Sequence, residues 1–513
     1  MVDTNFYDVV VCGGELGGLV AAALLARRGF RVLLLGHEAE SAAFEAGGVA
    51  LSRAPALLPP LDDPQSARLY KELDCASLVK RRATASPFVR VALGKHRMDL
   101  TADAAALARE LSRAFGGAEA TLAAALERLE ALGRIAEPLL ATAMTLPPHG
   151  FWERREVGRL ESLLPRAGND PLTPLAADHP FRAIAAAPAA LGTTLHPSDV
   201  GSVAEARAFA LARRESQVLD GGLAAFQDLL QQRLETFGGD RRPRVEPVGI
   251  VVRRGRAVGV RVRPRDETIG CHWLLWAGSS SSLRAALGGA APTAPPRSQS
   301  STLRVAGYRY ALSLLVGPGA LPAATPSRIL AIGDPSRSLL EDNAIAVTVG
   351  QPAPRDPGRI PIWVECVVSA HLVDAGPSYL RALRGRIVHT LGRLFPDLER
   401  HLILRASPYD GLPPERAGNV GGGGATEGAR PSPPLLLPAP PPPAPPALYA
   451  RAAPGRFDVL GLPHATGIKN LLLVGRENLP GLGVEGELVG SWGAARLVGG
   501  GPVRRLRRRT LLG

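Results

Sequence analysis

The chain has 513 residues, which is too long for one simple hydrophobic core, so two or more domains are expected. Its formal net charge is +13, but nearly all of its 60 basic residues are arginines, which are scattered without a nucleic-acid-binding motif. The composition therefore argues against a nucleic-acid partner.

The chain lacks the signals of membrane insertion and secretion. It contains no uninterrupted apolar run of about eighteen residues and no basic N-terminal region, so neither a transmembrane helix nor a secretory signal peptide is expected. Its cysteines, Cys12, Cys75, Cys271 and Cys366, stand far apart without a C-x-x-C pair. This spacing is typical of a reducing compartment and indicates a cytoplasmic protein.

The first forty residues predict a βαβ unit. Residues 5–12 form an apolar strand, the glycine-rich segment 13–18 follows at once, and residues 19–26 are an apolar helix that ends at Gly29. A second strand covers residues 31–35. A glycine-rich turn in this context is typical of a dinucleotide-binding fold.

Two positions of the dinucleotide motif G-x-G-x-x-G carry unexpected residues. Gly13 and Gly18 occupy its outer places, but Glu15 stands where the second glycine is expected. The acid that would bind ribose hydroxyls falls on Gly36, with Glu38 two residues later. A carboxylate about 4 Å from a diphosphate would cost roughly 4 kcal/mol, or about a thousandfold in affinity, without a counter-charge.

Two helices follow in the first third of the chain. Thr101 and Asp103 are candidate N-caps for a helix from Ala104, and leucines at helical spacing predict a second helix after Gly116 and Gly117. From residue 144 to residue 191 the periodicity is ambiguous, because proline, alanine and arginine dominate this stretch.

The central block predicts a strand, a helix and an antiparallel hairpin. Residues 217–220 precede a helix that contains Phe226 and Leu234, and alternating strands cover 244–252 and 257–262. A buried strand over residues 272–277 then leads through a turn to a short helix.

The second half predicts further strands at 308–315, 345–349 and 362–368, and then a helix with leucines from 380 to 394. Residues 421–446 are rich in glycine and proline and indicate a loop or linker.

The chain ends in another strand, glycine loop and helix. The strand covers residues 470–474, the loop covers 475–486, and the helix is expected to begin near Glu487. The final arginines, from Arg504 to Arg509, form a basic tail for which an anionic membrane surface and free solvent are both reasonable environments.

Three blocks in this order resemble the FAD-dependent oxidoreductases of the phytoene desaturase and amine-oxidase-like superfamily. The matching segments are VVVCGGELGGLVAAALLARRGFRVLLL, LDGGLAAFQDLLQQRLETFGG with VEPVGIVVRRGRAVGVRV, and NLLLVGRENLPGLGVEGELVGSWGAARL. The resemblance implies an α/β fold, in which a discontinuous Rossmann-like FAD-binding domain carries an inserted α+β substrate domain. The implied FAD-binding domain covers 1–100, 210–290 and 455–503, and the implied substrate domain covers 101–209 and 291–454.

The resemblance also implies a set of FAD-binding positions. In that family, the first segment binds the adenine end and the diphosphate, the second completes the nucleotide-binding domain, and the third wraps the ribityl chain and flavin ring. The implied positions are Gly13, Gly14, Glu15, Gly17, Gly18, Glu38, Val248, Gly475, Glu477, Gly481, Gly483, Val484, Glu485 and Gly486. Val248 is implied as a candidate for main-chain contact with the adenine. Arg476 departs from the pattern, because many relatives carry an acid at that position. A side chain at Gly483 is expected to intrude on the cofactor.

The residues identify no catalytic group. In flavin-dependent dehydrogenation the cofactor carries the chemistry, and the ten histidines form no metal-ligand pair. The aromatic content of 5% favours an apolar tunnel for an isoprenoid or carotenoid substrate over the aromatic cage of amine oxidases. Two hypotheses follow: an FAD-dependent desaturase or isomerase working at a membrane surface, or a flavin-free binding or scaffold protein on the same fold.

Overall fold

A computed structural model describes most of the chain. It covers residues 5–36, 41–94, 96–141, 144–164, 170–214, 216–290, 302–352, 356–373, 376–416, 443–452, 455 and 457–499. The expected Pro-rich loop 421–446 lies largely outside these residues, and the expected basic tail 504–513 lies wholly outside them.

The strands of the described residues, in chain order, are β1 (Phe6–Cys12), β2 (Val32–Leu35), β3 (Ala43–Ala46), β4 (Val49–Ser52), β5 (Ala56–Leu58), β6 (Ala83–Ser86), β7 (Phe88–Leu93), β8 (His96–Thr101), β9 (Ser216–Leu219), β10 (Asp240–Arg242), β11 (Glu246–Arg253), β12 (Arg256–Arg263), β13 (Glu267–Trp276), β14 (Leu303–Val316), β15 (Arg328–Ile332), β16 (Ala344–Val349), β17 (Ile360–Ser369), β18 (Leu402–Ala406), β19 (Glu415–Arg416), β20 (Ala447–Arg451) and β21 (Leu471–Leu473). The helices are α1 (Leu16–Arg27), α2 (Pro64–Glu72), α3 (Ala76–Arg82), α4 (Ala104–Ala114), α5 (Glu119–Ala141), α6 (Phe151–Leu163), α7 (Phe181–Gly192), α8 (Ser202–Arg213), α9 (Gly222–Thr236), α10 (Ser280–Leu287), α11 (Ala370–Val373), α12 (Pro377–Leu394) and α13 (Gly483–Gly499).

The first sheet is built on the predicted βαβ unit. Its strand order is β10-β2-β1-β13-β12-β11, and β21 pairs in parallel with the C-terminal part of β13. The apolar run Val9, Val10 and Val11 is fully buried, as expected for a strand covered on both faces. Helix α1 packs with α9 and α13 in the core on one face of this sheet. The predicted α/β, Rossmann-like fold is therefore confirmed.

The second sheet has the order β19-β18-β14-β17-β16-β15-β7-β8, with β20 also paired to β14. Its long strands β14 and β17 are antiparallel, and alternate residues point to opposite faces. On β17, Val364 and Cys366 pack in the core that contains the leucines of α12, whereas Glu365 lies on the other face. The second sheet thus presents one covered face and one face that borders a cavity.

The structure differs from the sequence-based expectations in three places. Helices α6 and α7 occupy much of the ambiguous stretch 144–191, and α7 continues through Pro188. Helix α13 begins at Gly483 rather than near Glu487. Strands β7 and β8 precede the expected domain boundary at residue 100 or span it, yet they pair in the second sheet, while the domain division itself remains a prediction.

The predicted cap of α4 is present, because the Asp103 carboxylate accepts hydrogen bonds from the backbone N–H groups of Ala105 and Ala106.

None of the helices in the described ranges combines the length and apolarity needed to cross a bilayer.

Candidate functional site

A cavity of about 530 Å³ lies between the two sheets. The loops that follow β1, β13 and β21 contribute to its lining, so it sits at the carboxyl ends of parallel strands. Open α/β sheets bind ligands at this edge. The opposite wall comes from β14, β15 and β17 of the second sheet.

The glycines of the first turn have clear conformational and packing roles. Gly13 has φ +117°, which favours glycine in the tight turn after β1. A Cβ on Gly18 would lie 2.2 Å from the Gly13 carbonyl oxygen, and a Cβ on Gly17 would lie 2.9 Å from Gly475 Cα. The Gly14 carbonyl oxygen accepts a hydrogen bond from Gln227 Nε2 at 3.3 Å. These glycines let α1 approach the turn and the loop after β21, but they do not themselves line the cavity.

Two residues that depart from the expected pattern, Glu15 in the first turn and Arg476 in the C-terminal loop, contact each other. Glu15, which ends the turn and lines the cavity, lies with Oε2 3.5 Å from Nε of Arg476. The same Nε lies 3.4 Å from Oε1 of Glu487, on the second turn of α13. Arg476 therefore supplies a counter-charge to Glu15, and the unscreened repulsion that the sequence implies for Glu15 does not apply.

The neighbouring charges shift the pKa values of Arg476 and Glu487. Glu15, followed by Glu487, raises the pKa of Arg476 above its ordinary range, so the guanidinium stays charged. Burial raises the pKa of Glu487 to about 7, and Glu15 adds to this rise, while Arg476 and a hydrogen bond from the Gly17 N–H oppose it. The Glu487 carboxylate thus meets the first turn of α1, where a diphosphate would be expected to bind.

The C-terminal loop brings Gly481, Gly483 and Val484 into the cavity lining. Close backbone contacts explain why two positions of this loop require glycine. A Cβ on Gly481 would lie 2.6 Å from Val459 Cα, and a Cβ on Gly486 would lie 2.2 Å from the Leu479 carbonyl oxygen.

Gly483 meets the backbone of the neighbouring segment. It has φ +56°, and its Cβ would lie 2.1 Å from the Gly192 carbonyl oxygen. A side chain here would strike the end of α7, and the expectation that it would also intrude on the cofactor stays a prediction. Gly475, at φ +130°, is held through its N–H, which donates to Asn478 Oδ1 at 2.9 Å.

Glu485 lines the cavity but is held by a buried ion pair. Its Oε1 lies 2.5 Å from Nη2 of Arg207 on α8, and the same Nη2 lies 3.0 Å from Oδ1 of Asp63, the N-cap of α2. All three side chains are nearly inaccessible to solvent. These charges fix the start of α13 against two other helices.

The other expected FAD-binding residues have different positions. The Glu477 carboxylate lines the cavity and accepts a hydrogen bond from the Ser280 N–H at the start of α10, and burial raises its pKa. Val248 lies on β11 at the edge of the first sheet, outside the cavity lining. Glu38 lies outside the described residues.

Much of the cavity lining is apolar. Leucines, alanines and prolines of β5, α7 and α8 contribute to the lining, and so do two tyrosines, Tyr409 and Tyr449. Burial raises the pKa values of both phenols, and Arg476 opposes the rise in each case. The low aromatic content of the chain thus does not keep aromatic side chains from this site.

Sequence reasoning missed several charged residues of the cavity wall, among them Arg53, Arg207, Arg309, Arg328 and Glu365. Arg309, Arg328 and Glu365 lie on strands whose pattern predicts only burial, so local sequence carried no signal of a site. His464 is structural, as expected for an isolated histidine, because its ring nitrogens contact the carbonyl oxygens of Leu473 and Leu146 at 2.8 and 3.1 Å.

These residues fit the FAD that the resemblance implies. The turn at Gly13 and the close packing at Gly18 reproduce two of the three glycine functions of a dinucleotide-binding motif. Nε of Arg476 makes no hydrogen bond within the described residues, although two carboxylates lie within ion-pairing distance. This buried donor beside the start of α1 suits a diphosphate oxygen.

Comparison with known proteins agrees with this geometry. Residues 8–282 match a family model described as FAD binding domain. The fold is similar to the crystal structure of an oxidoreductase from Methanosarcina mazei, with 15% identity, a TM-score of 0.54, and coverage of 95% of this chain and 99% of that one. It is also similar to a double mutant of putrescine oxidase, with 14% identity, a TM-score of 0.58, and coverage of 96% and 99%. No curated protein matches the sequence.

Proposed function

The chain belongs to the FAD binding domain family of FAD-dependent oxidoreductases, and from that premise we propose that it binds FAD and desaturates or isomerises an apolar, isoprenoid-like or carotenoid substrate. The observation that carries the proposal is the cavity, which joins the dinucleotide-type turn at Glu15 to an apolar wall. Its volume of about 530 Å³ falls within the usual range of small-molecule sites.

Bound FAD would supply the hydride-accepting chemistry, and the protein would supply binding, orientation and water exclusion. Arg476 would donate to the diphosphate, and the first turn of α1 would present backbone N–H groups to it. The loop from Gly481 to Val484 would border the flavin end of the site.

Apolar side chains support the substrate class. Leu57, Leu58, Leu211 and Leu330 line the cavity, and such a surface favours a hydrocarbon over a polar metabolite. Tyr449 adds aromatic surface to the lining, near enough to Arg476 for the guanidinium to oppose the rise in the phenol pKa.

The first test is the absorbance spectrum of the purified protein. We expect a flavin spectrum and, after denaturation, about one released FAD per chain. A colourless protein that does not bind added FAD would contradict the proposal and support the flavin-free scaffold.

The second test addresses the substrate. Isoprenoids of increasing chain length are added anaerobically to the FAD-bound protein, and flavin bleaching and product composition are measured. Bleaching indicates desaturation, and a rearranged product without bleaching indicates isomerisation. Turnover of short polar amines, with no reaction of any isoprenoid, would contradict the substrate class.

A further inference from the structure

Three charged side chains share one wall of the cavity. Arg309 on β14, Arg328 on β15 and Glu365 on β17 all line it. Arg328 and Glu365 are each only 6% exposed, and Arg328 Nη1 lies 3.8 Å from Glu365 Oε2. The set is thus built into the inner face of the second sheet rather than its solvent edge.

The strand register brings these residues together. Arg328 stands opposite Thr348 on β16, and Glu365 stands opposite Ala346 on the same strand. Because residues two apart on a strand share a face, Arg328 and Glu365 are diagonal neighbours across β16.

The two arginines are held in place by neutral groups. Arg309 donates to the carbonyl oxygens of Leu191 and Thr193, the latter at 2.5 Å, and Arg328 donates to Thr348 Oγ1. Such contacts satisfy donors and fix orientation, but they do not balance charge.

Charge balance is incomplete at this wall. Two guanidinium groups face one carboxylate, so the set carries a net charge of about +1 in a low-dielectric environment, where an unpaired charge is costly. Burial lowers the pKa of Arg309 and lowers that of Arg328 to about 10, and in each case Glu365 only partly offsets the effect. Nearby Arg476 has its own partners, Glu15 and Glu487. The missing negative charge can therefore come from a ligand in the cavity.

We propose that Arg328, with Arg309, binds the carboxylate of an apolar acid in this cavity. The planar guanidinium matches a carboxylate and forms charge-assisted hydrogen bonds with it, while the leucine wall holds the hydrocarbon part. Glu365 positions the Arg328 guanidinium. Its negative charge also limits how strongly this site binds a carboxylate. The inference rests on the proposed function and narrows its substrate class to carboxylate-bearing apolar molecules.

The test compares three probes with the same chain length: decanoate, decanol and decylamine. Each is titrated into the FAD-bound protein, and binding is followed by the change in flavin absorbance and by calorimetry. We expect decanoate to bind at least about tenfold more tightly than decanol, because charge-assisted hydrogen bonds to arginine add to a shared apolar contact. Tighter binding of decylamine, or equal binding of all three, would overturn the inference.

Variants of Arg328 and Glu365 test whether the preference for decanoate depends on these two side chains. Arg328→Met should weaken decanoate binding about tenfold or more without changing decanol binding, whereas Glu365→Gln should strengthen decanoate binding. The double variant Arg328→Met/Glu365→Leu removes both charges, so it tests the same loss without leaving Glu365 buried and unpaired. Exposed Arg381→Met on α12 is the matched control and should leave every affinity unchanged.

The outcomes also separate this inference from the proposed function. Decanoate binding that depends on Arg328 in a protein unable to bind FAD would support the anion site and refute the flavin function. Normal FAD binding with decanoate affinity unchanged in both Arg328 variants would overturn the anion site alone. Loss of FAD affinity in Arg328→Met, with unchanged decanoate binding, would overturn it as well, because the anion would then belong to the cofactor.

Discussion

Neutralising Glu15 should tighten FAD binding by about tenfold. At the 3.5 Å that separates Glu15 from Arg476, two unit charges interact by about 5 kcal/mol at an effective dielectric of 20 and about 1 kcal/mol in bulk water. The Glu15 side chain is 40% exposed, so solvent screening places the value near the lower limit, at about 1–2 kcal/mol. Glu15→Gln would free Arg476 for the diphosphate and remove a like charge, and about 1.4 kcal/mol corresponds to tenfold.

Arg476→Met should have the opposite and larger effect, about a hundredfold weaker binding, because Glu15 and Glu487 would then face the diphosphate without a cation. In the double variant Glu15→Gln/Arg476→Met the loss should be smaller than in Arg476→Met alone, which measures the coupling between the two side chains.

The assay is titration of FAD-free protein with FAD, followed by the quenching of flavin fluorescence at low and high salt. The exposed pair Glu235 and Arg241, whose closest atoms lie 3.9 Å apart, provides matched controls that should not change the affinity. Unchanged FAD affinity in both Glu15→Gln and Arg476→Met would refute the reasoning, since neither side chain could then face the diphosphate.

Four further predictions follow from buried or terminal features. FAD affinity should fall as pH rises through about 7, because burial raises the Glu487 pKa to about 7 and the carboxylate that forms above it repels the diphosphate. Glu487→Gln should flatten this pH profile. A flat wild-type profile from pH 6 to 8 would contradict the prediction. Arg207→Met should lower the free energy of unfolding in urea by about 3–5 kcal/mol because it leaves Glu485 buried without its cation, and an unchanged transition midpoint would argue against that role. Gly483→Leu should lower the melting temperature of the FAD-free protein, because its Cβ would strike the backbone at Gly192. A normal melting temperature with lost FAD binding would instead show that the side chain intrudes on the cofactor. If the tail from Arg504 to Arg509 contacts a membrane, its deletion should abolish salt-sensitive binding to anionic vesicles at unchanged melting temperature, whereas binding that survives the deletion would refute the role of the tail.

The first sheet could be predicted because its signals are local. The apolar run at Val9 to Val11, the turn at Gly13 and the alternating strands on either side of Gly255 each identify an element within a few residues. The helices within 144–191 could not be predicted, because prolines such as Pro188 interrupt the apolar periodicity of the sequence. In the structure, α7 continues through Pro188, which is buried by tertiary packing.

The ion pairs of the site could not be predicted either, because they join residues that are far apart in the sequence. Glu15 and Arg476 each looked like a defect when considered singly, and only the fold brings these distant positions to 3.5 Å. Likewise, Arg328 and Glu365 become neighbours only through the register of β15, β16 and β17.

The placement of β21 has a consequence for biosynthesis. This strand pairs with β13, and the α13 that follows it covers apolar residues of α1. At about 5–20 residues per second, roughly half a minute to one and a half minutes separates translation of α1 from translation of its cover. During that interval the nascent chain carries an apolar helix that can pack with α9 but still lacks α13, so we expect its yield to depend on chaperones that shield the uncovered surface until the late segment docks.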